Sequence, residues 1–86
     1  MLKSKVALIT GSTSGIGLGV ANAMAEQGCN IVLNGFGGRD EITKIRQRLT
    51  KLNGVEVCHH PADVSKPDEI LEMVLYAEEV FGRIDI

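Results

Sequence analysis

Three glycines with the spacing of a phosphate-binding loop are the residues of this sequence best suited to chemistry. Residues 10–17 read Thr-Gly-Ser-Thr-Ser-Gly-Ile-Gly, between an apolar run and a stretch with helical periodicity. Gly11 permits a tight turn, Gly15 lets the backbone approach a diphosphate without a Cβ, and Gly17 lets a helix pack close to the preceding strand. The start of that helix offers unpaired N–H groups and a positive dipole end to phosphates. The neighbouring hydroxyl groups add further donors: Ser12, Thr13 and Ser14.

Two other interpretations of this loop are weaker. An ordinary glycine-rich turn has the same spacing, but the position between a strand and a helix favours a nucleotide site. A Walker-type phosphate loop requires Gly-Lys followed by Ser or Thr, and this loop contains no lysine.

The elements that must position the loop alternate along the chain. Apolar runs predict buried strands over residues 6–10, 31–33 and 55–59, and residues 84–86 read as the first part of a fourth strand. Residues 15–27, 40–52 and 65–81 show helical periodicity, and Ser65 is expected to cap the third helix. The expected buried stripes of the three helices are Ile16, Val20, Ala23 and Met24; Ile42, Ile45, Leu49 and Leu52; and Ile70, Val74, Ala77 and Phe81.

Strands that alternate with helices predict an α/β fold, a Rossmann-type doubly wound parallel sheet with helices on both faces. Residues 1–86 are then the amino-terminal part of a single dinucleotide-binding domain. Because the sequence stops within an apolar strand, we expect a fragment truncated at the start of the fourth strand. A phosphorelay receiver-like domain shows the same alternation, but it needs acidic residues where the first strand here ends in Thr10-Gly11.

The spacing Gly-x-x-x-Gly-x-Gly at residues 11–17 resembles the cofactor signature of the short-chain dehydrogenase/reductase family. A second match is Asp63-Val64 after the third strand, where that family places an Asp and a small aliphatic residue against the adenine ring. The resemblance extends from Lys5 to Ile86 and implies a nicotinamide dinucleotide cofactor. The expected cofactor-binding residues are Gly11, Thr13, Ser14, Gly15, Ile16, Gly17, Phe36, Asp63 and Val64.

A narrower resemblance rests on residues 34–37, which read Asn-Gly-Phe-Gly, together with residues 1–3 and 11–19. These stretches are similar to bacterial D-3-hydroxybutyrate dehydrogenases, which interconvert D-3-hydroxybutyrate and acetoacetate using NAD. The resemblance implies a 3-hydroxy acid as the small-molecule substrate and a tetrameric, cytoplasmic full-length enzyme. No residue before position 86 is expected to touch substrate.

The choice between NAD and NADP depends on charges near the second strand. NAD enzymes usually place an acidic residue about 20 positions beyond the glycine loop, but Asn34-Gly35 occupies that place here. Ser14 stands where NADP-preferring relatives often carry a basic residue, and we expect Arg39, the nearby cation, to lie in solvent. A 2′-phosphate would be poorly neutralised, so we predict NAD. We expect Phe36 to cover the adenosine side; the alternative is that Phe36 packs on the core.

The family resemblance implies catalysis by a Tyr-x-x-x-Lys pair with a Ser and an Asn. The only tyrosine is Tyr76, and Val80 stands four residues later. We therefore predict no catalytic residue within these 86 residues and no dehydrogenase turnover by the chain alone. Two alternatives remain: a non-catalytic dinucleotide-binding module, and an NADP-dependent 3-oxoacyl reductase of the same family.

Composition excludes several other classes. The net charge of -2 gives no reason to expect nucleic acid or a membrane surface as partner. The basic start, residues 1–5, precedes an apolar run too short for a secretory signal. We expect Cys29 and Cys58 to be buried thiols, and His59 and His60 to lie on opposite strand faces without sharing a metal. The basic face of the second helix is expected to be solvated: Lys44, Arg46, Arg48 and Lys51.

Overall fold

The computed structural model describes residues 2–86; Met1, part of the basic start, lies outside them. Three strands, β1 (Val6–Ile9), β2 (Asn30–Asn34) and β3 (Val57–His60), alternate with three helices, α1 (Gly15–Glu26), α2 (Arg39–Asn53) and α3 (Pro67–Phe81). The predicted alternation is confirmed, with element ends shifted by the one or two residues that such boundaries commonly vary.

The three strands form a parallel sheet with β2 in the centre. Residues 84–86 are not a regular strand, but the N–H of Ile86 donates to the carbonyl of Val6 at 3.1 Å. The N–H of Leu8 donates to the carbonyl of Ile86 at 2.9 Å, which completes a parallel pairing with β1. This segment lies on the side of β1 away from β2, because the preceding carbonyl, of Lys5, accepts from Asn30 of β2. The segment therefore lies beside β1 in the position predicted for the fourth strand.

Helices cover both faces of the sheet, as a doubly wound fold requires. Side chains alternate along each strand, and one set packs with α1 and α2, whereas the other packs with α3. The first set comprises Ala7, Ile31, Leu33 and Val57, and the second comprises Val6, Val32 and Cys58. From β1 the chain adds β2 and then β3 on one side of β1, and it then returns to place residues 84–86 on the other side of β1. Such a reversal creates a crevice at the carboxyl ends of the strands.

The stripe predicted for α1 is wrong except at Met24, which is half-buried and packs against the core. Ile16 is 89% exposed and Val20 is 41% exposed, whereas Ala21 and Ala25 form the buried face. The first turn of the helix packs directly against the preceding loop at Gly17, so only small side chains fit between the helix and the sheet.

The other helices need smaller corrections. In α2, Ile45 and Leu49 are buried as predicted, but Leu52 is 72% exposed near the end of the helix. In α3 the fully buried residues are Met73 and Ala77, Phe81 packs against the cluster that contains Ala77, and Ile70 is exposed.

Two polar predictions also change. Ser65 does not cap α3: Lys66 is the N-cap residue, and the Ser65 hydroxyl donates to the carboxylate of Asp63 at 2.6 Å. Arg46 is not merely solvated, since its Nε donates to the carbonyl of Val57 at 3.1 Å and satisfies part of the edge of β3. Within residues 2–86, no helix is both long and apolar enough to cross a bilayer.

Candidate functional site

The glycine loop turns sharply between β1 and α1. Gly11 and Gly15 have φ angles of 58° and 59°, in the left-handed region that favours glycine. A Cβ on Gly17 would overlap the carbonyl oxygen of Gly11 and lie 2.8 Å from its carbonyl carbon. The three glycines therefore serve the turn and the close packing that the sequence predicted.

Two backbone N–H groups of the loop are paired within the protein. Gly11 donates to the side-chain oxygen of Asn34 at 3.2 Å, and Ser12 donates to the backbone carbonyl of Asn34 at 2.6 Å. The first hydrogen bond of α1 runs from Leu18 to Ser14, so the N–H groups of residues 15–17 have no acceptor among residues 2–86. These three groups lie at the positive end of the helix dipole and are therefore able to bind a phosphate.

The three hydroxyl groups of the loop have different surroundings. Ser12 is fully buried, where its Oγ donates to the carbonyl of Ile9 at 2.7 Å and accepts from the N–H of Asn34 at 2.9 Å. The expectation that Ser12 offers a donor to ligand is therefore wrong. Ser14 is exposed at the N-cap of α1 and makes no capping hydrogen bond, so its hydroxyl faces solvent beside the first turn of the helix.

Phe36 lies on a loop beside this turn. Its side chain is 70% exposed, which rules out packing on the core. The hydroxyl of Thr13 donates to the carbonyl of Phe36 at 3.0 Å and joins the two loops. Gly35 has a φ of 147°, and a Cβ there would overlap the Oγ1 of Thr13, so this contact requires glycine.

Asp63 and Val64 follow β3. The Oδ1 of Asp63 accepts from the N–H of Ser65 at 2.9 Å and from its hydroxyl at 2.6 Å. The hydroxyl, and then the backbone N–H, lowers the pKa of the Asp63 carboxyl. The N–H of Asp63 donates to Oε1 of Glu69 at 2.9 Å, which ties this turn to the first turn of α3. Val64 leaves 48% of its surface exposed to solvent.

These three segments enclose a cavity of about 320 Å³ at the carboxyl ends of the strands. Six of the nine expected cofactor-binding residues line it: Gly11, Thr13, Ser14, Phe36, Asp63 and Val64. The other three, Gly15, Ile16 and Gly17, form the first turn of α1 immediately after Ser14. Asn34, Gly35 and Ala62 complete the wall, and Asp63 is the only charged residue in it.

Sequence reasoning missed the role of Asn34, which is 2% exposed. A polar residue at the end of a buried strand was the only available signal. The hydrogen bonds that it makes depend on which strands are neighbours, and this emerges only from the fold.

The remaining chemically active side chains lie elsewhere. His59 contacts the carbonyl of Gly35 through Nε2 at 2.8 Å, whereas the His60 ring lies 5.2 Å from the ring of Tyr76 on α3, so the two histidines occupy opposite faces as predicted. Burial raises the pKa of Tyr76. Cys29 and Cys58 are buried free thiols, as expected. Residues 2–86 contain no group of three or more His, Cys, Asp or Glu side chains able to hold a metal.

Comparison with known proteins agrees with this architecture. Residues 5–86 match the family model described as short chain dehydrogenase. The chain is 51% identical to D-beta-hydroxybutyrate dehydrogenase of Rhizobium meliloti over 83 residues, which cover 96% of this chain and 32% of that protein. It is also 51% identical to the D-beta-hydroxybutyrate dehydrogenase of Cupriavidus necator over 90 residues, covering 100% of this chain and 33% of that protein.

A solved structure shows the same fold. L-sorbose reductase from Gluconobacter frateurii, complexed with NADPH and L-sorbose, superposes with a TM-score of 0.88 at 36% identity. The match covers 98% of this chain and 32% of the reductase. The chain thus spans about a third of the length of the relatives it matches. The family match over residues 5–86, together with the loop, cavity and sheet, shows that the chain belongs to the short-chain dehydrogenase family.

Proposed function

We propose that this chain is the cofactor-binding portion of an NAD-dependent D-3-hydroxybutyrate dehydrogenase. The proposal that the chain binds a dinucleotide rests on one cavity, which is lined by the glycine loop, Phe36 and the Asp63-Val64 turn. The substrate part is supported by 51% identity to two proteins named D-beta-hydroxybutyrate dehydrogenase. The full reaction would convert D-3-hydroxybutyrate and NAD to acetoacetate and NADH.

The residues present fit a dinucleotide. The unpaired N–H groups of residues 15–17 would hold the diphosphate, assisted by the exposed Ser14 hydroxyl. At the other end of the cavity, the Asp63 carboxylate would accept from the exocyclic amine of adenine, and Val64 would cover a face of the ring. The Phe36 ring would lie over the adenosine ribose. Bound NAD supplies the hydride acceptor of the reaction.

The charge of the cavity favours NAD over NADP. No Lys or Arg lines it, and its only charged residue, Asp63, is anionic. Of the cations close in sequence to the cavity residues, Arg39 lines a separate cavity with Gly37 and Ile42 on the α2 side of the loop, and Lys66 pairs with Glu69 at 3.6 Å. A 2′-phosphate would therefore meet an anion and no partner for a charge-assisted hydrogen bond. NADP remains the alternative, because the reductase with the same fold was crystallised with NADPH.

The substrate-converting residues are not supplied by this chain. Tyr76 is the only tyrosine, it is absent from the cavity lining, and its pKa is raised rather than lowered as a general acid/base requires. We infer that the 86 residues bind cofactor without turnover. The whole protein is proposed to be a cytoplasmic tetramer, as the resemblance implies.

Calorimetric titration of the chain with NAD and with NADP tests the cofactor proposal, and circular dichroism verifies that the chain is folded. We expect binding of NAD that is tighter than binding of NADP. A folded chain that binds neither dinucleotide would refute the proposal. A preference for NADP would favour the alternative of an NADP-dependent 3-oxoacyl reductase. Incubation with D-3-hydroxybutyrate and NAD should produce no NADH fluorescence.

A further inference from the structure

We propose that Asn34 is a positioning residue that couples the diphosphate and adenine ends of the cofactor site. This inference rests on the proposed dinucleotide binding. Asn34 is the last residue of β2, the central strand, and it lies between the two loops that would hold opposite ends of the cofactor.

The side chain of Asn34 bridges the loop after β1 to the end of β3. Its Oδ1 accepts from the N–H of Gly11, the first glycine of the loop, at 3.2 Å. Its Nδ2 donates to the carbonyl of His60 at 3.1 Å and to the carbonyl of Ala62 at 3.0 Å. Ala62 immediately precedes Asp63. One buried amide thus connects the start of the phosphate loop to the residues that introduce the adenine-contacting turn.

The backbone of Asn34 makes the same connection. Its N–H donates to the Oγ of Ser12, and its carbonyl accepts from the N–H of Ser12 at 2.6 Å. The orientation of the side-chain amide is determined by its partners, since an N–H and two carbonyls can be satisfied in one way only.

Both side-chain N–H groups of Asn34 are used by protein carbonyls, so neither can bind cofactor. Its contribution to binding must therefore act through Gly11 and through the 60–63 segment. Without this amide, two carbonyls and one N–H at the cavity wall would lose their partners, and the two loops could shift relative to each other. A ligand that spans both loops would then lose more affinity than a ligand that touches one.

The test compares two ligands on the 86-residue chain. Adenosine occupies only the adenine end, whereas ADP-ribose also carries the diphosphate. We expect Asn34→Ser to weaken ADP-ribose binding by about tenfold more than it weakens adenosine binding, the loss associated with one or two hydrogen bonds. Asn34→Asp keeps the side-chain shape and the acceptor for Gly11 but removes both donors to β3, so it should show the same selective loss.

Asn30→Ser is the matched control. Asn30 begins the same strand, and its Oδ1 accepts from the N–H of Glu56 at 3.0 Å, so it also joins β2 to the chain next to β3, but at the opposite end of the sheet. Asn30→Ser should weaken both ligands by the same factor. Amide hydrogen exchange adds a readout that requires no ligand: Gly11 should lose protection in Asn34→Ser and keep it in Asn30→Ser.

Equal losses for both ligands in the Asn34 variants would overturn the proposal and leave Asn34 a stability role alone. Unfolding of both Asn34 variants while Asn30→Ser stays folded would overturn it equally. A folded unaltered chain that binds neither ligand would instead refute the proposed cofactor function, and this result is separate because it is read before any substitution.

Discussion

The hydroxyl of Thr13 donates a 3.0 Å hydrogen bond to the carbonyl of Phe36, while Gly35 lies against the same threonine side chain. A Cβ on Gly35 would overlap Oγ1 of Thr13 and lie 3.2 Å from its Cγ2. The glycine loop and the loop that carries Phe36 therefore fit together only when residue 35 lacks a side chain. This contact also explains why no carboxylate can occupy position 35 to hold the ribose in the usual way.

Gly35→Ala should reduce the free energy of unfolding by about 1–3 kcal/mol, because a φ of 147° is strained for alanine and its Cβ meets Thr13. NAD affinity should fall with it, since Phe36 would shift. Thermal unfolding and calorimetric titration measure the two effects. The double variant with Thr13→Ala should lose less stability than the sum of the single changes. If the losses of unfolding free energy in the two single variants add up to the loss in the double variant, the Thr13 contact is unimportant.

Two glycines of α1 give a matched pair of substitutions. Gly17→Ala places a Cβ against the backbone of Gly11 and should cost about 1–3 kcal/mol of stability, together with most of the dinucleotide affinity. Gly19 has no atom within 4 Å of its added Cβ, so Gly19→Ala should stabilise the helix by up to about 1 kcal/mol. Chemical denaturation measures the free energy of unfolding of both variants. Similar losses in both variants would mean that Gly17 is not a packing contact.

The order of elements could be predicted because each depends on local signals. Apolar runs, glycine at helix ends and Pro67 at the start of α3 act within a few residues, and all six elements formed where expected. The cavity residues were also predictable, since parallel strands bring the loops after β1, β2 and β3 to the same edge of the sheet.

The sequence-based predictions that were wrong concern features that tertiary contacts determine. The buried face of α1 follows from the approach of Gly17 to Gly11, which favours Ala21 and Ala25 over the larger Ile16 and Val20. Ser65 had a competing acceptor in Asp63 and did not cap the helix. No periodicity or spacing could have shown that Asn34 contacts both neighbouring strands.

A substitution at Ser14 should shift the cofactor preference from NAD toward NADP. Ser14 is a suitable position because it is exposed and makes no capping hydrogen bond. Ser14→Arg would give the 2′-phosphate of NADP a charge-assisted partner that the cavity lacks, and should improve NADP affinity relative to NAD by about tenfold. A small loss of stability is expected from a cation at a helix N-terminus. Ser14→Gln, which is long but uncharged, is the control in parallel titrations. An equal improvement with Gln would exclude the electrostatic explanation.

The pH dependence of the Asp63 turn should reflect its hydrogen bonds to Ser65. The Ser65 hydroxyl is the main cause that lowers the pKa of Asp63 in the folded chain, followed by its N–H, and Lys66 contributes less. A carboxyl whose pKa is lowered by folding contributes stability above its unfolded value of about 3.9 and loses that contribution as the pH falls through the folded pKa. The effect is small because the group is exposed, so a direct titration is the suitable measurement.

Carboxyl chemical shifts followed by NMR from neutral to acidic pH should place the Asp63 midpoint below that of an unstructured aspartate. Ser65→Ala should raise the midpoint, but only part of the way, because the backbone N–H of residue 65 still donates to Oδ1. Lys66→Gln, which removes a positive charge that contributes less to the lowered pKa together with the ion pair to Glu69, should raise it less. A larger shift with Lys66→Gln than with Ser65→Ala would show that charge rather than hydrogen bonding keeps Asp63 ionised. The ionisation of Asp63 would then depend on ionic strength, because exposed charge interactions are screened by salt and short hydrogen bonds are not.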